Sequence, residues 1–71
     1  MASEPMLVDA RGMRCPWPAL RAARMLRQVR DILIFADDPA APAELLSLAR
    51  QNGWQWREER TPQGRAFRIS K

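Results

Sequence analysis

The spacing of apolar residues changes from segment to segment along this chain, and each spacing predicts an element. Met6-Leu7-Val8 is short, apolar and partly β-branched, so it reads as a buried strand. Asp9-Ala10-Arg11 and then Gly12 supply a bend. From Leu20 to Val29 the spacing becomes helical. Leu20, Ala23, Met25, Leu26 and Val29 form the expected buried stripe, and Arg21, Arg24, Arg27 and Gln28 the wet side. Pro16 and Pro18 fit the first turn, where N–H groups lack intrahelical partners, so this helix is expected to start beside Cys15. Asp31 to Ala36 is one charge followed by a continuous apolar run. It predicts a central strand buried on both faces. Asp37-Asp38-Pro39 ends it, and Asp38 with Pro39 next resembles an N-cap followed by proline at the first helical position. A second helix is expected from about Ala43 to Asn52, with Leu45, Leu48 and Ala49 inward, closed by a left-handed Gly53.

The remainder alternates with the period of a strand. Trp54 and Trp56 share one face, and Gln55, Arg57 and Glu59 the other. Thr61-Pro62-Gln63-Gly64 is a turn, and Phe67 and Ile69 then face opposite to Arg68 and Ser70 in a last strand. The order is βαβαββ. Two β–α–β links favour parallel pairs with right-handed crossovers, and the final hairpin adds an antiparallel strand. The expected fold is α+β: a two-layer α/β sandwich with both helices on one face of a mixed four-stranded sheet. Residues 1–5 read as a flexible tail and 6–71 as a single domain.

At 71 residues the chain is near the lower limit for a self-sufficient core. A single cysteine rules out an intramolecular disulfide, and the absence of histidine argues against a zinc cluster; no metal or cofactor is expected. No apolar run approaches the roughly 20 residues of a membrane span. Met1 to Pro5 lack the basic segment and long apolar stretch of a signal peptide, so the expected location is cytoplasmic, where an unpaired thiol stays reduced. Lys+Arg total 12 against 8 Asp+Glu, a net charge of +4, and Lys71 is the only lysine. That balance attracts acidic partners or simply solvates the surface.

The candidate chemistry is Cys15, followed by Pro16-Trp17-Pro18. A thiol at a helix start faces unpaired N–H groups and the positive end of the macrodipole. Such thiols titrate anywhere from roughly 3.5 to 7.5 instead of near 8.5, and the thiolate is the reactive form. No catalytic base is evident: Asp9, the nearest carboxylate, reads as a tie for the turn before the cysteine.

Val8-Asp9-Ala10-Arg11-Gly12-Met13-Arg14-Cys15-Pro16-Trp17-Pro18 resembles the signature of the TusA/SirA-like sulfur-carrier family. Ala36-Asp37-Asp38-Pro39-Ala40 resembles the family's second block, and Gly53 the glycine before strand three. The resemblance runs from about Leu7 to Lys71 and implies a sandwich similar to the C-terminal domain of translation initiation factor 3. It also implies a sulfur carrier. Cys15 would hold sulfane sulfur as a persulfide, supported by Asp9, Gly12, Pro16 and Pro18. A cysteine desulfurase or rhodanese-type enzyme would be the donor. A downstream acceptor protein would serve transfer-RNA thiolation, molybdenum-cofactor assembly or sulfur oxidation. Three features depart from the pattern: the Pro-Gly pair before strand two is absent, Glu44-Leu45-Leu46 replaces Asp-Ile-Pro, and Trp54 replaces a histidine.

Without a base, the expected carrier is a monomer whose partners supply most of the catalysis. Arg14, Trp17, Arg21 and Arg24 are candidate partner contacts; Trp17 reads equally as packing, and the arginines as a solvated face. An alternative is an RNA-binding or regulatory module using the Arg-rich face, against which the chain lacks the basic-aromatic strand pattern of RNA-binding sheets. A third reading, a redox-sensing thiol, lacks a resolving cysteine.

Overall fold

The computed structural model describes residues 4–71. The tail expected over residues 1–5 falls mostly outside the described residues. Six elements follow in the expected order: β1 (Met6–Asp9), α1 (Trp17–Met25), β2 (Asp31–Phe35), α2 (Ala41–Asn52), β3 (Gln55–Thr61) and β4 (Gly64–Ser70). They form a four-stranded mixed sheet in the order β1-β2-β4-β3. β1 and β2 are parallel, and β4 runs antiparallel to both β2 and β3. The second β–α–β link therefore does not end on a neighbouring strand. It crosses over β4, and the hairpin folds back into the gap it leaves.

Register explains the core. Ile32 pairs with Ile69 and Ile34 with Phe67, which puts four fully buried side chains on one face of the two central strands. Val8 opposite Ile34 and Trp56 opposite Ile69 extend that face to the outer strands, and Trp56 stacks on Phe67 with centroids 5.9 Å apart. Leu45 and Ala49 of α2 and Ala22 and Leu26 of the α1 segment cover it. Trp54 and Trp56 are half-buried against this core, with Trp54 just ahead of β3.

Three expectations are corrected. β1 is an edge strand, not a buried one: Leu7 is 68% exposed and only Val8 is buried. β2 is not buried on both faces, because no helix covers the second face and Leu33 there is only partly shielded. Helix α1 begins at Trp17, beside the cysteine as expected, but its fully buried stripe is Pro18, Ala22 and Leu26, spaced by four. Leu20 falls off that stripe and is 52% exposed. The chain then tightens, with Arg27 and Gln28 N–H groups reaching back three residues to Arg24 and Met25.

Helix α2 starts at Ala41, two residues before the expected point, with Pro42 in its first turn. Asp38 is not its cap. It accepts the Ala40 N–H on Oδ1 at 2.8 Å and forms the turn that leads in. Gly53 closes the helix at φ 69°, as expected.

Candidate functional site

The site is a loop held by acids. At the end of β1, Asp9 accepts the Arg11 N–H at 3.1 Å and both guanidinium bonds, at 2.9 and 3.0 Å. That pair holds Asp9 down to about 2, chiefly through the Arg11 side chain. Arg11 lies over the Phe35 ring at 5.6 Å and is fully engaged here. Met13 N–H then closes a turn on the Ala10 carbonyl at 3.2 Å. Gly12 occupies φ 82° in that turn, a conformation that disfavours a side chain.

The Asp37-Asp38 pair pins the loop from the other side. Gly12 N–H donates to Asp37 Oδ1 at 2.9 Å, and Cys15 N–H donates to Asp38 Oδ2 at 3.0 Å. Asp38 thus bridges the cysteine loop to the start of α2. Its carboxyl is held below the ordinary range by the Ala40 and Cys15 N–H groups. Pro16 follows through a cis peptide bond and sits at the helix N-cap, and Pro18 is buried under the first turn.

Cys15 is exposed, but its electrostatics are not those of a bare helix end. The first turn has few donors to spare. Pro18 has none, Trp17 N–H bonds to the Arg14 carbonyl at 2.8 Å, and Leu20 N–H bonds to that of Pro16 at 3.1 Å. The Cys15 thiol instead donates to Oε2 of Glu44, on the first turn of α2. The thiol is therefore pushed above its ordinary value. The Glu44 hydrogen bond acts first, then desolvation, then the charges of Glu44 and Asp38. This corrects two expectations together. Glu44 and Asp38 oppose the thiolate that a helix start alone would favour, and a carboxylate that accepts the thiol's hydrogen bond is in place. Glu44 Oε1 is buried without a partner.

Glu44 lies 29 residues from Cys15 in sequence. Only the packing of α1 beside α2 brings them together, so the spacing around Cys15 carries no signal for it. The Asp-Asp pair and an acid in the first turn of the next helix were the available hints.

Beside the loop a groove of about 590 Å³ runs along α1. Its walls include Met13, Arg14, Trp17, Leu20, Arg21 and Arg24, so the structure brings the four candidate partner contacts together on one surface. Trp17 is 61% exposed rather than folded into the core. Among the described residues, Arg14, Arg21 and Arg24 make no ion pair, whereas Arg57, Arg65 and Arg68 are paired with Glu59, Glu58 and Asp31.

The profile of the sulfurtransferase TusA family matches residues 6–71, nearly the whole chain. This chain belongs to the TusA sulfurtransferase family. Two relatives from Neisseria meningitidis, of serogroups A and B, are each 39% identical over 49 residues and are named as candidate sulfur carrier proteins. Each match covers 65% of this chain and 66% of the relative, just under two thirds of its length. The crystal structure of a SirA-like protein from Desulfitobacterium hafniense superposes with a TM-score of 0.77 at 22% identity. It covers 92% of this chain and 93% of that one, and so shares the fold. TusA-family membership accords with the α+β sandwich built above. Among the described residues, no helix is long and apolar enough to cross a membrane.

Proposed function

We propose that this protein carries sulfane sulfur on Cys15 as a persulfide, taking it from a cysteine desulfurase or rhodanese-type donor and passing it to an acceptor protein. The observation that supports this most is the exposed thiol on a loop fixed through backbone hydrogen bonds to Asp37 and Asp38. A pre-ordered loop enters a partner's pocket with little further loss of chain entropy. Asp9, Gly12, Pro16 and Pro18 support the loop, and family membership supports a sulfur-relay role. The acceptor belongs to transfer-RNA thiolation, molybdenum-cofactor assembly or sulfur oxidation, and a reducing cytoplasm suits a monomer with one free thiol.

The groove is the docking surface of this reading. Trp17 and Leu20 offer apolar area, and Arg14, Arg21 and Arg24 offer charge for an acidic rim on the partner. RNA binding by the sheet finds less support, because Arg57 and Arg68 on its uncovered face are neutralised by carboxylates. A donor desulfurase supplied with sulfur-labelled cysteine should place label on this chain, and an added acceptor should remove it. A Cys15→Ser variant that still took up label would overturn the assignment to Cys15.

A further inference from the structure

Glu44 lies outside both motif blocks, in the Glu44-Leu45-Leu46 stretch that departs from the family pattern. It stands on a different element from the cysteine loop, and its two oxygens are in unlike situations. Oε2 accepts the Cys15 thiol, and Oε1 is buried without a partner. The other charged groups that bear on this corner are Asp38, whose oxygens are occupied by the Cys15 and Ala40 N–H groups, and Arg14, which bears on Asp38. Asp38 adds like charge to Glu44.

These surroundings treat the empty and loaded carrier differently. The empty thiol has a proton to donate, and Glu44 Oε2 accepts its hydrogen bond. The loaded form ends in a terminal sulfur that is a stronger acid than a thiol, because the adjacent sulfur spreads the negative charge. At neutral pH that end is anionic and meets a carboxylate with no proton between them. A hydrogen bond to a charged acceptor is gained in one form and replaced by repulsion in the other.

We propose that Glu44 biases Cys15 toward giving sulfur up, stabilising the empty thiol by its hydrogen bond and repelling the loaded persulfide anion toward solvent. In the discharge step the acceptor thiol gives its proton to the anionic terminal sulfur of the Cys15 persulfide, and the resulting thiolate attacks that sulfur. A new S–S bond forms to the acceptor, the Sγ–S bond breaks, and Sγ leaves with the electron pair. The proton released by the new acceptor persulfide as it ionises is returned to Sγ, which re-forms the bond to Glu44. No net oxidation occurs, because the transferred sulfur keeps its oxidation level. The inference rests on the carrier reading of Cys15.

The test is an equilibrium. Wild type, Glu44→Gln and Glu44→Asp are each held at pH 7.5 in a fixed ratio of glutathione persulfide to glutathione, and the loaded fraction is read by intact mass. Glu44→Gln should shift the loaded-to-empty ratio upward by about three- to ten-fold, with Glu44→Asp between the two. In parallel, iodoacetamide rates are followed against pH. The Glu44→Gln midpoint should fall, with each unit of fall raising the rate about three-fold at a pH below both values. An unchanged or lowered loaded ratio in Glu44→Gln overturns the proposal. If Glu44→Gln does not fold, Glu44→Asp decides, and a ratio equal to wild type counts against it. If no form takes up sulfur but the alkylation midpoints still differ, the carrier reading fails, while the contact between Glu44 and the thiol stands.

Discussion

Asp38 holds the Cys15 N–H at 3.0 Å, and that bond ties the reactive loop to the turn that leads into the second helix. The same carboxylate accepts the Ala40 N–H at 2.8 Å. Replacing Asp38 by Asn leaves one acceptor oxygen where two N–H groups need one each. Asp38→Asn should therefore lower the melting temperature and speed hydrogen exchange at the Cys15 or Ala40 amide. Exchange rates unchanged at both would show that the bridge does not order the loop.

Gly12 lies at φ 82° with open space where a Cβ would stand. Gly12→Ala should thus cost about 1–2 kcal/mol from the backbone alone, without a steric clash. Denaturant unfolding checks this, and a variant as stable as wild type would mean that the turn re-forms without strain.

Phe67 is fully buried at the centre of the sheet, between Ile34 of β2 and the Trp56 ring. Phe67→Ala should lose about 3–5 kcal/mol. A domain this small has a total stability near the low end of about 5–15 kcal/mol, so the variant should be substantially unfolded at 37 °C. Phe67→Leu should retain a cooperative transition by circular dichroism.

Stability should depend on pH in two windows. Asp9 is depressed from 3.8 to about 2 in the folded chain. Its contribution is present above its ordinary value and is lost as pH falls from about 4 through about 2. Cys15 is raised, so the fold favours the neutral thiol. That contribution is present below the ordinary thiol value and is lost as pH rises through the folded one. Asp9→Asn should flatten the acid limb of a melting-temperature profile, and Cys15→Ser the alkaline limb.

Arg21 and Arg24 line the groove without carboxylate partners among the described residues. Reversing both to Glu should slow sulfur uptake from a protein donor about ten-fold or more, and reduce its salt dependence. The rate with iodoacetamide should stay within a factor of about two, since a small neutral reagent needs no docking surface. Equal losses with both would place the effect on the thiol itself.

The parts of this molecule that were legible in the sequence are those set by local chemistry. Alternation placed Phe67 and Ile69 on the core face, helical spacing placed Leu45 and Ala49, and Gly53 marked a left-handed helix end. Errors arose where the outcome depends on neighbours. The apolar run at Met6 gives no sign that its strand lies at the sheet edge, where Leu7 stays exposed. The apolar spacing from Leu20 to Val29 points Leu20 inward, whereas packing against the sheet selects Pro18, Ala22 and Leu26 as the buried stripe. The thiol differs most: a helix start alone implies an acidic cysteine, whereas Glu44, delivered by tertiary packing, pushes it above its ordinary value.

If Cys15 accepts a sulfur atom from a donor protein, the intact mass of the chain should rise by one sulfur atom after incubation with a cysteine desulfurase and free cysteine. Reductant should remove that gain, and Cys15→Ser should abolish it. An unchanged mass with desulfurase and rhodanese donors alike, from a folded protein whose thiol still alkylates, would contradict sulfur acceptance by Cys15.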